Sequence, residues 1–298
     1  MGVSNSRDDT AFSLDVSVRD LVEFVLRRGD LRSGPSFTSP SRALEGTRGH
    51  QKLQSSRDDH YRAEVALKWV TVRPTFTLTL RGRIDGVREG AGEIFLEEIK
   101  TVTGEWSQKP SDLHWAQLRI YGGIWNRLNP SKPLHLRLTY FHLESDTEYC
   151  FDEKKTPSFV ESFLQEVLEK YLQWLDQHVA RTIQRNVTIE NLTFPFSKLR
   201  AGQASMLEAV RNLHFKGGAM MLEAPTGIGK TMASLFPSIK ALAGEHVRQL
   251  MVVLARTPGQ TVFQEALKLL EQKGARVKTL SMLCLLYTSP SPRDGLLS

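Results

Sequence analysis

Asp85, Glu98 and Lys100 are side chains whose types and spacing suit hydrolysis of a phosphate ester around a divalent cation. The run 94–101 reads as a strand, and a period of two places Ile94, Leu96, Glu98 and Lys100 on one face and Phe95, Glu97 and Ile99 on the other. Glu98 and Lys100 therefore point the same way. Asp85 closes the preceding strand, and a hairpin through the turn 88–93 brings it across from Leu96 or Glu98; the register stays open. Mg2+ prefers hard oxygen ligands and keeps several waters, so two carboxylates plus a substrate phosphate make a site in which water is acidified into a nucleophile. A neighbouring lysine stabilises charge on the attacked phosphate. Gln117 and Tyr121, four apart on a predicted helix, share a face, and Gly46-Thr-Arg-Gly-His50 places one histidine before the strands.

A second phosphate chemistry lies further on. Ala224-Pro225-Thr226-Gly227-Ile228-Gly229-Lys230-Thr231 follows an apolar run and precedes a helix-like segment, the pattern of a phosphate-binding loop. Its glycines let backbone N–H groups turn inward, Lys230 offers a point charge to the β/γ-phosphates, and the Thr231 hydroxyl suits Mg2+. A nucleotide is the expected ligand.

The elements that must position these groups follow from periodicity. Val18–Arg28 reads as a short helix and the Ser/Gly/Pro/Arg-rich stretch 29–49 as loop. Alternation from Thr75 predicts a strand running to Val87, hairpin-linked to 94–101; a helix at 111–128 and a strand at 135–143 follow. Apolar spacing over 157–185 gives one long or two broken helices, and 186–195 reads as a linker. Beyond it, strand 218–223, helix 231–242, strand 249–255 and helix 260–272 make a βαβα order with a parallel sheet. The expected class is α/β, in two domains.

With 298 residues, 40% of them apolar, the chain can bury a core, and a net charge of +6 favours a polyanionic partner. Cys150 and Cys284 build neither a disulfide framework nor a cysteine-ligated metal site, which fits a reducing cytoplasm. No run reaches membrane-spanning length and the N-terminus lacks a signal-type apolar core.

Taken together, Gly46-xxx-His50, Gly82-Arg-Ile-Asp85-Gly86, Glu98-Ile-Lys100 and Gln117-xxx-Tyr121 resemble the RecB-like branch of the PD-(D/E)xK nucleases over about residues 40–145. That resemblance implies a restriction-endonuclease-like domain at 1–185, with His50, Asp85 and Glu98 as ligands of Mg2+ or Mn2+, Lys100 as the catalytic lysine, and Gln117 and Tyr121 positioning the active site and DNA. Ile84 stands where the motif usually has proline.

Phe194-Pro-Phe196, Arg200, Gln203, the phosphate loop and Leu254-Ala-Arg256-Thr257-Pro-Gly-Gln260 resemble the start of an XPD/DinG-type superfamily-two helicase. By that resemblance residues 196–284 are part of a RecA-like lobe that takes ATP with Mg2+, Gln203 reads adenine, and Arg256 and Thr257 contact DNA. An iron–sulfur insert would lie beyond this sequence, and the fragment would not unwind DNA. Residues 285–298 resemble a translated adapter or vector tail. The expectation is a nuclease–helicase fusion acting on single-stranded or branched DNA in repair; the rivals are a non-catalytic DNA-binding module and a P-loop phosphotransferase with an accessory domain.

Overall fold

The computed structural model describes residues 3–4, 12–29, 40–90, 92–129, 132–244, 247–254 and 257–282. Two compact units divide at Ala180 and Arg181. Arg256 and the 285–298 stretch fall outside the described residues, as does most of the segment between the first two helices.

The first unit is built on a mixed sheet of seven strands: β1 (Val3–Ser4), β2 (Phe12–Ser17), β3 (Tyr61–Val72), β4 (Phe76–Glu89), β5 (Ile94–Val102), β6 (Leu134–His142) and β7 (Thr147–Lys155). Its helices are α1 (Val18–Leu26), α2 (Pro40–Ser55), α3 (Asp112–Leu128) and α4 (Pro157–Glu190), the last ending beyond the unit boundary. Strict alternation makes β2 a half-buried strand: Phe12, Leu14 and Val16 face inward between exposed Ser13 and Asp15. Ser17 ends it by capping α1, its hydroxyl accepting from the Asp20 N–H at 3.0 Å, and Ser111 likewise caps α3.

One face of the sheet packs its main core against α1, α3 and α4, with Leu78, Leu80, Leu96 and Leu136 meeting Leu21, Leu118, Ile124 and Leu164. On the other face Leu53 of α2 meets Ile99 and Phe141.

Strand β4 is the pivot. One of its edges pairs with β3 along nearly its whole length. The other edge is shared: β2 runs parallel to it up to Ser17↔Arg81, and β5 runs antiparallel from Gly86↔Glu97. Between these two partners residues 82–85 have no strand on that edge, while β5 continues past Glu97 paired with β6 alone. A gap therefore opens in the middle of the sheet, next to Asp85 on one side and Glu98 on the other.

The second unit contains the last turns of α4 and the helices α5 (Gln203–Lys216), α6 (Lys230–Ala241) and α7 (Thr257–Gln272) around a small core that includes Ile189, Leu235, Ile239 and Leu270. Here the expectations need correction. Among the described residues neither 218–223 nor 249–254 forms a strand, so the parallel sheet of a RecA-like lobe is not present. Met221, Met251 and Val253 are at least three-quarters exposed. Two apolar runs alone do not make a stable sheet, which needs three or more strands and a covered face. The linker expected at 186–195 is helical as far as Glu190, because Ile189 is a buried core position of this unit. In the first unit, the loop expected at 29–49 becomes helix α2 from Pro40 onward, so His50 is a helical residue. No described helix is long and apolar enough to cross a membrane.

Candidate active site at the strand divergence

The β4/β5 ladder settles the open register. Its pairs run Glu89↔Ile94 to Gly86↔Glu97, and continuing that register sets Asp85 opposite Glu98. The backbone pairing stops there and a side chain takes over: the Asp85 carboxylate accepts the Ile99 N–H at 2.7 Å. This bond fixes the carboxylate at the mouth of the gap.

Glu98 points to the α3 side. It is only 2% exposed, and there its Oε1 accepts from Lys100 Nζ at 2.5 Å and from Gln117 Nε2 at 2.7 Å. The same Gln117 accepts from Lys100 at 3.4 Å through its Oε1 and donates to the Tyr121 hydroxyl at 3.2 Å. One amide thus holds the carboxylate, the ammonium and the phenol in fixed relation. Tyr121 can lie this close to the strand because residue 82 is glycine; a Cβ there would meet the Tyr121 ring at 2.4 Å.

From the opposite face α2 delivers His50, whose Nδ1 is 3.7 Å from Asp85 Oδ1. Gly49 makes the approach feasible, since a Cβ at that position would fall 2.7 Å from Leu143 and 3.0 Å from Thr101. The six positions read from the sequence thus fall in two sets at the gap, His50 with Asp85 on the α2 side and Glu98, Lys100, Gln117 and Tyr121 on the α3 side, linked where Asp85 accepts the N–H of the residue after Glu98.

Electrostatics set the protonation states. Burial pushes the Glu98 carboxyl up to about 7; Lys100 works against that rise and Asp85 adds to it. Burial, with the Glu98 charge second, also raises the Tyr121 phenol, which stays protonated and able to donate. Glu98 Oε2 is buried with no hydrogen-bond partner, one of three such side-chain atoms among the described residues, with Trp125 Nε1 and Asn126 Oδ1. A bare carboxylate oxygen in the interior is costly unless something cationic meets it. The donor set of two carboxylates and an imidazole fits a hard divalent cation.

Two residues escaped sequence reasoning. Glu64 of β3 brings a carboxylate oxygen close to His50 and Asp85, the three ligand atoms lying within 4.8 Å of one another. No periodicity marks it, because its signal is the pairing of β3 with β4. His114 precedes Gln117 by three residues on the same helix face; its Nδ1 lies 2.7 Å from the Tyr140 hydroxyl. A helical projection of residues 112–128 could have found it.

In the second unit the glycine-rich loop enters α6 with Gly227 at φ 84° and Gly229 at φ 81°. Lys230 Nζ donates to the carbonyls of Ala224 at 2.7 Å and Pro225 at 3.2 Å. Buried Gln203 reaches the Gly229 carbonyl at 3.4 Å, and Arg200 donates to the Gly227 carbonyl. Thr226, Ile228 and Thr231 belong to the same turn and first helical residues.

A mixed sheet that parts at its centre to show Asp, Glu and Lys, with a Gln/Tyr helix across one face, is an arrangement of the nuclease type. Comparison with known families gives the same class: residues 17–201 match the PD-(D/E)XK nuclease superfamily. The chain belongs to that superfamily, the match covering more than half of its 298 residues. Among solved structures it is similar to one described as the crystal structure of SSO0001, at 18% identity and a TM-score of 0.34 over 56% of this chain and 79% of that one. No curated protein matches.

Proposed function

We propose that the first unit is a metal-dependent DNA nuclease that hydrolyses phosphodiester bonds at the β4/β5 gap. The observation that carries this reading is the buried Glu98, with one oxygen held by Lys100 and Gln117 and the other bare, directly across from Asp85. A bound Mg2+ or Mn2+ supplies charge at the phosphate and lowers the pKa of a coordinated water. His50, Asp85 and Glu98 are the residues that would hold it. Lys100 keeps its ammonium beside Glu98, where it can meet the charge that builds on the attacked phosphate. Gln117 prevents both from rotating away, and Tyr121 braces Gln117. The net charge of +6 suits a polyanionic substrate, and DNA is the polymer we assign.

The test is cleavage of end-labelled single-stranded and branched DNA in Mg2+ or Mn2+. Asp85→Ala and Lys100→Ala are each expected to lower the rate by roughly a hundredfold or more. DNA binding without cleavage by the native chain would favour a non-catalytic binding module instead.

A second activity rests on the loop of the second unit. Positive-φ glycines at a helix start, with Lys230 and Gln203 beside it, support binding of a nucleotide phosphate, ATP with Mg2+ at Thr231 being the ligand we assign. Lys230→Ala is expected to abolish ATP retention in equilibrium dialysis. The helicase reading goes no further, since its sheet does not form among the described residues.

A further inference from the structure

We propose that Glu64 is an additional ligand of the divalent cation, outside the residues the sequence pattern marks, and that Arg83 holds it in reserve. This inference rests on the nuclease-site reading above. Its basis is the β3/β4 ladder: pairing runs from Tyr61↔Arg88 to Ala63↔Gly86 and resumes at Val65↔Ile84, so the one interrupted position in this stretch sets Glu64 opposite Asp85. There Glu64 adopts φ 57°, a left-handed backbone that glycine tolerates and glutamate does not favour.

The consequence is a carboxylate turned toward the gap. One Glu64 oxygen lies with His50 and Asp85 ligand atoms inside a 4.8 Å cluster. Gln54 of α2 ties the pair together, its Nε2 donating to Glu64 Oε1 at 2.9 Å and to the Asp85 carbonyl at 3.0 Å. Arg83 Nε meets Glu64 Oε2 at 2.6 Å, both side chains being solvent-accessible, so this ion pair is readily exchanged.

Acidic clusters on a surface are common without ions. What points to a ligand here is the neighbouring Glu98, almost wholly buried, with Oε2 unpartnered and its place opposite Asp85 in the continued β4/β5 register. Glu64, Asp85 and His50 then form one ligand cluster beside the gap with Glu98 across it, and among the described residues Arg83 pairs with Glu64 and Lys100 with Glu98. A left-handed glutamate is retained most readily where its side chain has such a task.

The experiment measures Mn2+ affinity of the full chain by titration calorimetry and by electron paramagnetic resonance of free Mn2+, without DNA. Glu64→Gln is expected to weaken binding by roughly tenfold or more, as loss of a supporting ligand does. Arg83→Gln, which frees the carboxylate, should bind at least as tightly as the native chain. Glu64→Gly relieves the backbone and should match the weakened affinity while melting no lower than Glu64→Gln. Native affinity in Glu64→Gln overturns the proposal, as does equal weakening in Arg83→Gln, which would make the ion pair a purely structural feature. Asp85→Asn separates the two readings: if it abolishes binding while Glu64→Gln is normal, only this inference fails; if it also binds normally, the nuclease site fails with it.

Discussion

Glu97 and Glu98 are adjacent carboxylates that the fold treats in opposite ways. Glu97 faces α2, is wholly buried, and accepts from Arg57 through both oxygens, from the Tyr61 hydroxyl and from Thr139. Glu98 faces α3 and keeps one oxygen bare. The first carboxylate anchors β5, and the second is the one the proposed nuclease reading uses. Removing the arginine with Arg57→Met strands a buried charge and should cost about 3–5 kcal/mol in urea unfolding. Adding Glu97→Gln to that variant should return part of the loss, since the charge goes too; a surface-like pair would show less than about 1 kcal/mol in either case. His114 gives a separate pH signature. Burial, followed by repulsion from Lys100 and Arg19 and partly offset by Glu23, lowers its pKa from 6.5 to about 4. Between those values the unfolded chain binds more protons, so the contribution to stability is complete above pH 6.5 and is lost as pH falls toward 4. The native melting midpoint should therefore drop more steeply across that window than the midpoint of His114→Asn.

At the scale of elements, the site depends on how closely helices can approach the strands beside the gap. Gly82→Ala pushes a methyl into the Tyr121 ring, which is hemmed in by the main core and bonded to Gln117. Such overpacking should cost about 1–3 kcal/mol. Nuclease activity should fall further than stability explains, because Gln117 loses its brace. In a Tyr121→Ala background the same methyl should cost much less, and a double-mutant cycle in urea measures the difference. Elements with strong periodicity were legible in the sequence: α3, β4, β5 and β6 lie within a residue or two of expectation. The gap itself was not, because it arises from β2 and β5 sharing one edge of β4, a long-range pairing no local pattern encodes. Strands β1, β2, β3 and β7 were missed too: β1 has two residues, the alternation of β2 was legible but went unread, and β3 and β7 are mostly exposed, so β3 shows little alternation beyond Leu67 and Trp69 and β7 little beyond Tyr149 and Phe151. Helix α2 hid behind glycines and serines that lower helix propensity, yet Gly49 is what seats it against β5 and β6. The phosphate-type loop was legible as a turn into a helix, while its flanking strands were not realised because apolar runs become strands only with partners to pair with.

For the whole molecule, two separate cores mean two separate contributions to stability. The first unit buries the larger core, spanning strands and three helices, whereas the second relies on a few side chains from α4, α6 and α7. Larger cores bury a greater share of the unfolded chain's surface, so the second unit should melt first. Leu164 and Leu270 are both fully buried, one in each core, and truncation of either to alanine should cost its own unit about 2–5 kcal/mol. Differential scanning calorimetry of the full chain should then show two transitions, with Leu270→Ala lowering only the earlier and Leu164→Ala only the later. DNA cleavage, assayed between the two midpoints, should persist after the first transition because every proposed site residue, His50 to Tyr121, belongs to the first unit. ATP retention should be lost in that same interval, since Lys230 and its loop belong to the second. A single transition displaced by both substitutions would mean that the units unfold as one cooperative body, and the two activities would then disappear together.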